Sequence, residues 1–157
     1  NVYGNYTTMR LLKKRFDYCF KSIYSYPPIV KANIIKNNFS LGKSIERVNF
    51  KAFQVKHGPI NSTAYVFEKT AYLSDCNDMS IVNKKILKNL KYLIIDCLRI
   101  KKSPVHFNLE NVLEVHRYLK PKKTILTNLN SDLDYNFLLQ LLPNDIIPAY
   151  DGLKLNL

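Results

Sequence analysis

The stretch KHGPINSTAYVFEKTAYLSD, Lys56 to Asp75, decides the fold. It sets His57 and Asp75 eighteen residues apart, with two strand-like runs, STAYVFE and TAYLS, between them. His57 closes the run AFQVK and Asp75 follows AYLS, so both fall at strand ends. A neutral imidazole and a carboxylate are good ligands for zinc or manganese, and an aspartate can also bridge two metals. By itself the spacing is a weak signal, because any strand-rich domain leaves some His and Asp in its loops. Further ligands have to be sought elsewhere in the chain.

Working outward, Ser44 to Leu73 reads as neighbouring antiparallel strands, SIERVNF, KAFQVKH, STAYVFE and TAYLS, with period-two alternation in VNFKAFQV. Beyond Asp75 the rhythm changes to helix and strand in turn. MSIVNKKILKNL reads as helix, YLIID as a buried strand, NLENVLEVHRYLK as a periodic helix, TILTN as a strand, DYNFLLQLL as a helix and PAYDGLKLNL as a last strand. The expectation is an α/β fold, a sheet layer covered by helices, with residues 1–157 forming one domain or part of one. Upstream, TTMRLLKKRFDYCFKSI reads as a helix capped by Thr7 or Thr8, with Met9, Leu12, Phe16, Cys19, Phe20 and Ile23 on one apolar face. Arg10, Lys13, Lys14 and Lys21 form its polar face. Such a helix could offer nucleic acid a basic and aromatic surface, but its phenylalanines lie on the apolar stripe, which favours packing. The YPP of Tyr26–Pro28 forbids further helix.

The net charge of +12 suits a polyanionic partner such as nucleic acid. The lysines are scattered, however, among many Asn and Ile, and a bias toward those three residues explains them equally well. Cys19, Cys76 and Cys97 are odd in number and widely spaced, which excludes a zinc ribbon and fits unpaired thiols in a reducing cytoplasm. No apolar run approaches the roughly 18–20 residues needed to span a bilayer. The chain begins with Asn1, which points to processing or to a longer parent.

In open sheets, functional groups collect in the loops after the carboxyl ends of the strands. Those loops hold His57, Asp75, Asp96 and Asn128, and His106 joins them from the loop that precedes the NLENVLEVHRYLK helix. Taken in order, VKHGPINSTAYVF, AYLSDCNDM, LIIDCLR, SPVHFNLENVLEVHRYLKPKKTILTNLNSDLDY and IPAYDGLKLNL resemble the C-terminal half of metallo-β-lactamase-fold hydrolases. The branch they are most similar to contains the phosphoribosyl cyclic phosphodiesterase of phosphonate degradation. The similarity covers essentially the whole chain, and the ordered set carries it.

That resemblance implies the C-terminal part of a four-layer αββα sandwich. It implies His57 as a metal ligand, Asp75 as the carboxylate bridging two divalent metals (Zn or Mn), His106 as the proton donor to the leaving oxygen, and Asp96 as a buried acid beside the site. The chemistry is coherent: divalent cations activate water and neutralise charge on phosphorus while an imidazole protonates the departing alkoxide. The substrate class implied is a phosphodiester-type small molecule. The family's His-x-His-x-Asp-His cluster lies in an N-terminal half that these 157 residues do not resemble. Where the family carries a further histidine, this chain has TNLN, with Asn128 or Asn130 at the position. The chain is therefore expected to hold no tight dinuclear site alone, and to need that N-terminal half or a homodimer partner. The other class of reading is a catalytically silent remnant or a basic module binding nucleic acid, and a nuclease of the same fold is a third.

The remaining polar residues have structural readings. His116 shares a helix face with Leu109, Val112 and Leu119 and is expected to pack. Cys76 and Cys97 are expected to be small buried residues. Asp132 and Asp134 suit the start of the helix that follows, and Asp151 with Gly152 suits a turn.

Overall fold

In the computed structural model, which describes residues 1–157, the chain runs β1 (Val2–Gly4), α1 (Tyr6–Arg15), β2 (Ala32–Ile34), β3 (Asn38–Leu41), β4 (Val48–His57), β5 (Ile60–Phe67), β6 (Thr70–Leu73), β7 (Tyr92–Asp96), α2 (Leu109–Leu119), β8 (Lys123–Thr127), α3 (Tyr135–Leu141) and β9 (Ile146–Pro148). Strands β3 to β9 form one seven-stranded mixed sheet in sequence order. The first four pair antiparallel and β6 to β9 pair parallel. Parallel neighbours need crossovers, which the segments around α2 and α3 and two 3-10 turns (Met79–Asn83 and Lys85–Leu87) supply. The fold is thus α/β, as expected, and has a mixed sheet and three helices.

The β4–β5 hairpin turns through two residues, Gly58 and Pro59, since His57 pairs with Ile60. Gly58 has φ 59°. A proline cannot follow with positive φ, which leaves the mirror-image turn with glycine first.

Register assigns the two faces of the sheet. Phe53, Val55, Ala64, Ala71, Leu73, Leu93, Ile95 and Leu126 share one face and pack with Val112, Val115 and Leu119 of α2, Leu138 of α3, and Ile81 and Leu87 of the 3-10 turns. This is the core. The opposite face carries stacked Phe39 and Phe50, with centroids 5.0 Å apart, and Tyr65 and Phe67 beside them. Tyr72, opposite Tyr65, is 38% exposed.

Four expectations need correction. Helix α1 is capped by Asn5, whose side chain accepts from Thr8 N, and it ends at Arg15. Of its expected apolar stripe only Met9 is buried, while Phe16 and Ile23 are exposed, because FDYCF has weak helix propensity and breaks into a 3-10 turn at Asp17–Cys19. SIERVNF and KAFQVKH, expected as separate strands, are one: SIE is a 3-10 turn at Ser44–Glu46, and β4 then runs unbroken from Val48 to His57. MSIVNKKILKNL forms the two 3-10 turns and no α-helix. PAYDGLKLNL is not the last strand: β9 is Ile146–Pro148, overlapping it only at Pro148, and the Asp151–Gly152 turn, with Gly152 at φ 93°, breaks the extension that was expected beyond. No helix is long and apolar enough to cross a membrane.

Candidate metal centre

The pairing directions send the carboxyl ends of β4, β6, β7 and β8 to one rim of the sheet. His57 ends β4, Asp75 lies two residues past β6, Asp96 ends β7, and Asn128 follows β8. His106 comes from the β7–α2 loop. Ligand atoms of His57, Asp75 and His106 all lie within 4.8 Å of one another.

Asn77 ties these loops together. Its backbone N–H donates to Lys56 O (3.0 Å), its Oδ1 accepts from Gly58 N (3.2 Å), and its Nδ2 donates to Pro104 O (2.6 Å). One side chain thereby fixes the His57 end of the hairpin to the segment that carries His106. Gly58 allows the approach, because a Cβ there would collide with Val105 Cγ1. The Asp75 loop is held by Ser62, whose hydroxyl donates to Asp75 O, and by Ser74 Oγ, which donates to Asp75 Oδ2 at 3.2 Å.

Asp96 is completely buried. Its Oδ2 faces His106 Nδ1 at 2.7 Å and accepts from Cys76 N at 3.3 Å, while its Oδ1 accepts from Asn128 Nδ2 at 3.0 Å. Burial pushes the Asp96 carboxyl above the ordinary range, and the bonds from Asn128, His106 and Cys76 oppose that shift without cancelling it. Placing the shared proton on His106 Nδ1 leaves the Nε2 lone pair free. That nitrogen faces His57 Nε2 at 3.3 Å. Asp75 Oδ1 is 3.9 Å from His106 Nδ1, and the Asp75 side chain is 42% exposed against 15% for His106. The cluster is open to solvent on its Asp75 side.

The donor set fits a divalent metal. Two imidazoles and a carboxylate are a ligand type found at zinc centres that keep an open position. Donors on one ion are separated by at most about twice the bond length, roughly 4.2 Å. The three ligand atoms, within 4.8 Å of one another, lie near that span.

Neither asparagine of TNLN takes the place of an imidazole in this cluster. Asn128 directs its amide N–H to Asp96 from a left-handed backbone, φ 63°, and Asn130 Oδ1 accepts from Ser131 N at 2.7 Å. Sequence reading missed Asn77 altogether; it stands in the SDCNDM segment, but an asparagine in a loop carries no pattern that marks it. His116 packs as expected, joining Thr124 Oγ1 (2.9 Å) and Asp145 Oδ2 (3.2 Å). Asp134 caps α3, whereas Asp132 accepts from Ile100 N and so braces the β7–α2 loop.

The beta-lactamase superfamily domain matches residues 1–127, and the chain belongs to that family. Among solved structures, a diphosphatase of the PhnP family is 31% identical with a TM-score of 0.80, over 98% of this chain and 56% of that one. The metallo-beta-lactamase fold protein YhfI of Bacillus subtilis is 15% identical (TM-score 0.68; 96% and 62% covered). The short form of human tRNase Z is 14% identical (TM-score 0.58; 97% and 65% covered), and these two likenesses speak to fold alone. A protein of Porphyromonas gingivalis named octanoyltransferase is 24% identical over 156 residues, 98% of this chain and 31% of its own length. The chain thus spans about a third of that relative and little more than half of the diphosphatase.

Proposed function

We propose that the chain is the C-terminal portion of a metal-dependent hydrolase acting on phosphate esters of the phosphodiester type, with 1–157 as one domain. The single observation that carries this reading is the meeting of His57, Asp75 and His106 at the carboxyl rim of the sheet, with buried Asp96 behind them. Similarity to a diphosphatase over 98% of the chain supports the phosphate class. In this reading His57 and Asp75 hold the metal, which when bound would polarise the phosphoryl group and supply an activated water. The remaining donors come from an N-terminal half, in the same polypeptide or another, or from a partner copy. The three thiols, none in a disulfide, suit a cytoplasmic setting.

Two roles suit His106, and different observations favour them. The Asp96 carboxylate behind Nδ1 stabilises an imidazolium that can release its Nε2 proton to a departing oxygen. The 3.3 Å approach of Nε2 to His57 Nε2 suits a ligand instead. Octanoyl transfer is not carried over from the P. gingivalis protein, of which the chain covers only 31%.

A second reading, a basic module binding nucleic acid, is favoured by residues 1–47, which hold nine Lys and Arg against two Asp and Glu. There Tyr6, Tyr18, Tyr24 and Tyr26 are all exposed, as a base-stacking surface requires. One assay set separates the readings. Joined to or mixed with a segment bearing the remaining donors, the chain is expected to hydrolyse bis(p-nitrophenyl) phosphate with Mn or Zn, and Asp75→Ala to abolish the activity. Background rates with both metals would contradict the hydrolase, and RNA retention that weakens steeply with salt would favour the second reading.

A further inference from the structure

We propose that the loop Cys19–Val30 docks this chain onto a membrane surface rich in anionic lipid, the loop entering the headgroup region while lysines beside it hold the lipid phosphates. The proposal is independent of the metal cluster and of the hydrolase reading.

Three observations carry it. The first is the build of the loop. Val30 N donates to Cys19 O at 2.9 Å and closes its base, and Ile23 and Tyr26 exchange a pair of backbone bonds, at 3.2 and 3.1 Å, nearer its tip. The pinched segment presents Tyr24, which is 97% exposed and has φ 54°. A left-handed backbone is uncommon for a bulky residue, and such conformations cluster at functional sites.

The second is composition. CFKSIYSYPPIV holds one lysine and no acid. Tyr26 and Ile29 are exposed almost as fully as Tyr24, and Ile23 is exposed as well. Apolar side chains gathered in water on one short segment mark an interaction surface. Tyrosine, with its apolar ring and polar tip, sits at the level of lipid headgroups, and aliphatic groups beside it reach the acyl boundary.

The third is charge. Lys13 and Lys31 line one cleft with Phe20, Pro28 and Ile29, so two ammonium groups stand beside the apolar loop. Asp17 is the only acid in residues 1–45, and it is already paired with Lys21 at 2.9 Å. Uncompensated lysines next to exposed apolar groups complement a negatively charged leaflet, each strengthening association about fivefold. Single-stranded nucleic acid is the other polyanion that meets lysines and tyrosines together. Its bases stack on rings and would leave Ile23, Ile29 and the Pro27–Pro28 pair in water, whereas a lipid interface covers rings and aliphatic groups alike.

The test is co-sedimentation of the 157-residue chain with vesicles of phosphatidylcholine, with and without phosphatidylglycerol. Binding is expected with the mixed vesicles only, and it should fall steeply as salt is raised. Lys13→Gln with Lys31→Gln should lower the partition coefficient about 25-fold, and Tyr24→Ser with Ile29→Ser at least about tenfold. All four side chains are exposed, so these changes leave the core alone. The chain has no tryptophan. Tyr24→Trp therefore adds a single fluorophore, whose emission should move to shorter wavelength on the mixed vesicles and stay unchanged with phosphatidylcholine alone. Absence of binding by the unmutated chain overturns the proposal, and retention of oligouridylate by that same chain would then assign the surface to nucleic acid. Binding that is lost with the lysines, yet indifferent to Tyr24→Ser with Ile29→Ser and without an emission shift, is charge adsorption alone and overturns it too. None of these results bears on hydrolysis, which stands or falls by its own assay.

Discussion

Buried cysteines flank the site, each next to one of its acids in sequence, and their chemistry follows from that burial. Cys76 and Cys97 are both 0% exposed, and burial pushes each thiol from near 9 up to about 12. A thiol that stays protonated and inaccessible does not attack a disulfide reagent. In the native chain only Cys19 is expected to react with Ellman's reagent at pH 8, and all three after denaturation. The same shift has a sign for stability. Between pH 9 and 12 the unfolded thiols ionise and the folded ones do not, so the unfolded state holds fewer protons and stability falls as pH rises. Each thiol contributes a loss of about 1.4 kcal/mol per pH unit in that window. Urea melts at pH 8.5, 9.5 and 10.5 check it, and a Cys76→Ser, Cys97→Ser chain should lose most of the slope. At this scale the sequence placed His57, Asp75 and His106 at strand or loop ends, and the fold brings those three together. It was silent on Asn77, because an amide's role depends on which groups the folded chain brings to it. Asn128 was open to reading as a poor ligand until its N–H was seen on Asp96.

Among the elements, the β4–β5 hairpin determines whether the two imidazoles meet. Gly58 serves twice there, supplying φ 59° and leaving room for Val105. A left-handed non-glycine residue costs about 1–2 kcal/mol, and overpacking costs about 1–3 kcal/mol. Gly58→Ala is therefore expected to destabilise by roughly 2–5 kcal/mol in urea melts. Adding Val105→Ala should remove the steric part and leave the backbone part, so the pair should be non-additive in a double-mutant cycle. Equal losses with and without Val105 would show that the contact carries no strain. Period-two and helical patterns foretold β4 to β8, α2 and α3 because each buries a regular face. The 3-10 turns were misread for a physical reason: buried Ile81, Leu87 and Leu90 are six and three residues apart, a spacing that three-residue turns satisfy as well as an α-helix does. Likewise Leu153, Leu155 and Leu157 alternate as a strand would, yet they lie beyond the Asp151–Gly152 turn with no strand to pair with.

The whole molecule exposes more surface than its mass warrants. A compact monomer of 18.3 kDa has an accessible surface of about 8,100 Å² by the usual scaling, and this chain has 10739 Å². The excess, roughly 2,600 Å², matches what one partner gives up in a large obligate interface. Much of the apolar part has an address. Phe39, Phe50, Tyr65, Phe67 and Tyr72 lie on the sheet face opposite α2 and α3, and the first four are only half-buried although they stack on one another. An aromatic face of that kind, with the site at its rim, calls for a second layer. The chain by itself is accordingly expected to self-associate through this face, read as a concentration-dependent mass by light scattering. Tyr65→Glu with Tyr72→Lys sets charges into the face without touching the core side, and it should shift the equilibrium toward monomer while the far-ultraviolet spectrum stays the same. A monomer at all concentrations would mean that the aromatic stack is stable in water as it stands. Association that is indifferent to both substitutions would move the contact to the exposed tyrosines of residues 1–47 instead.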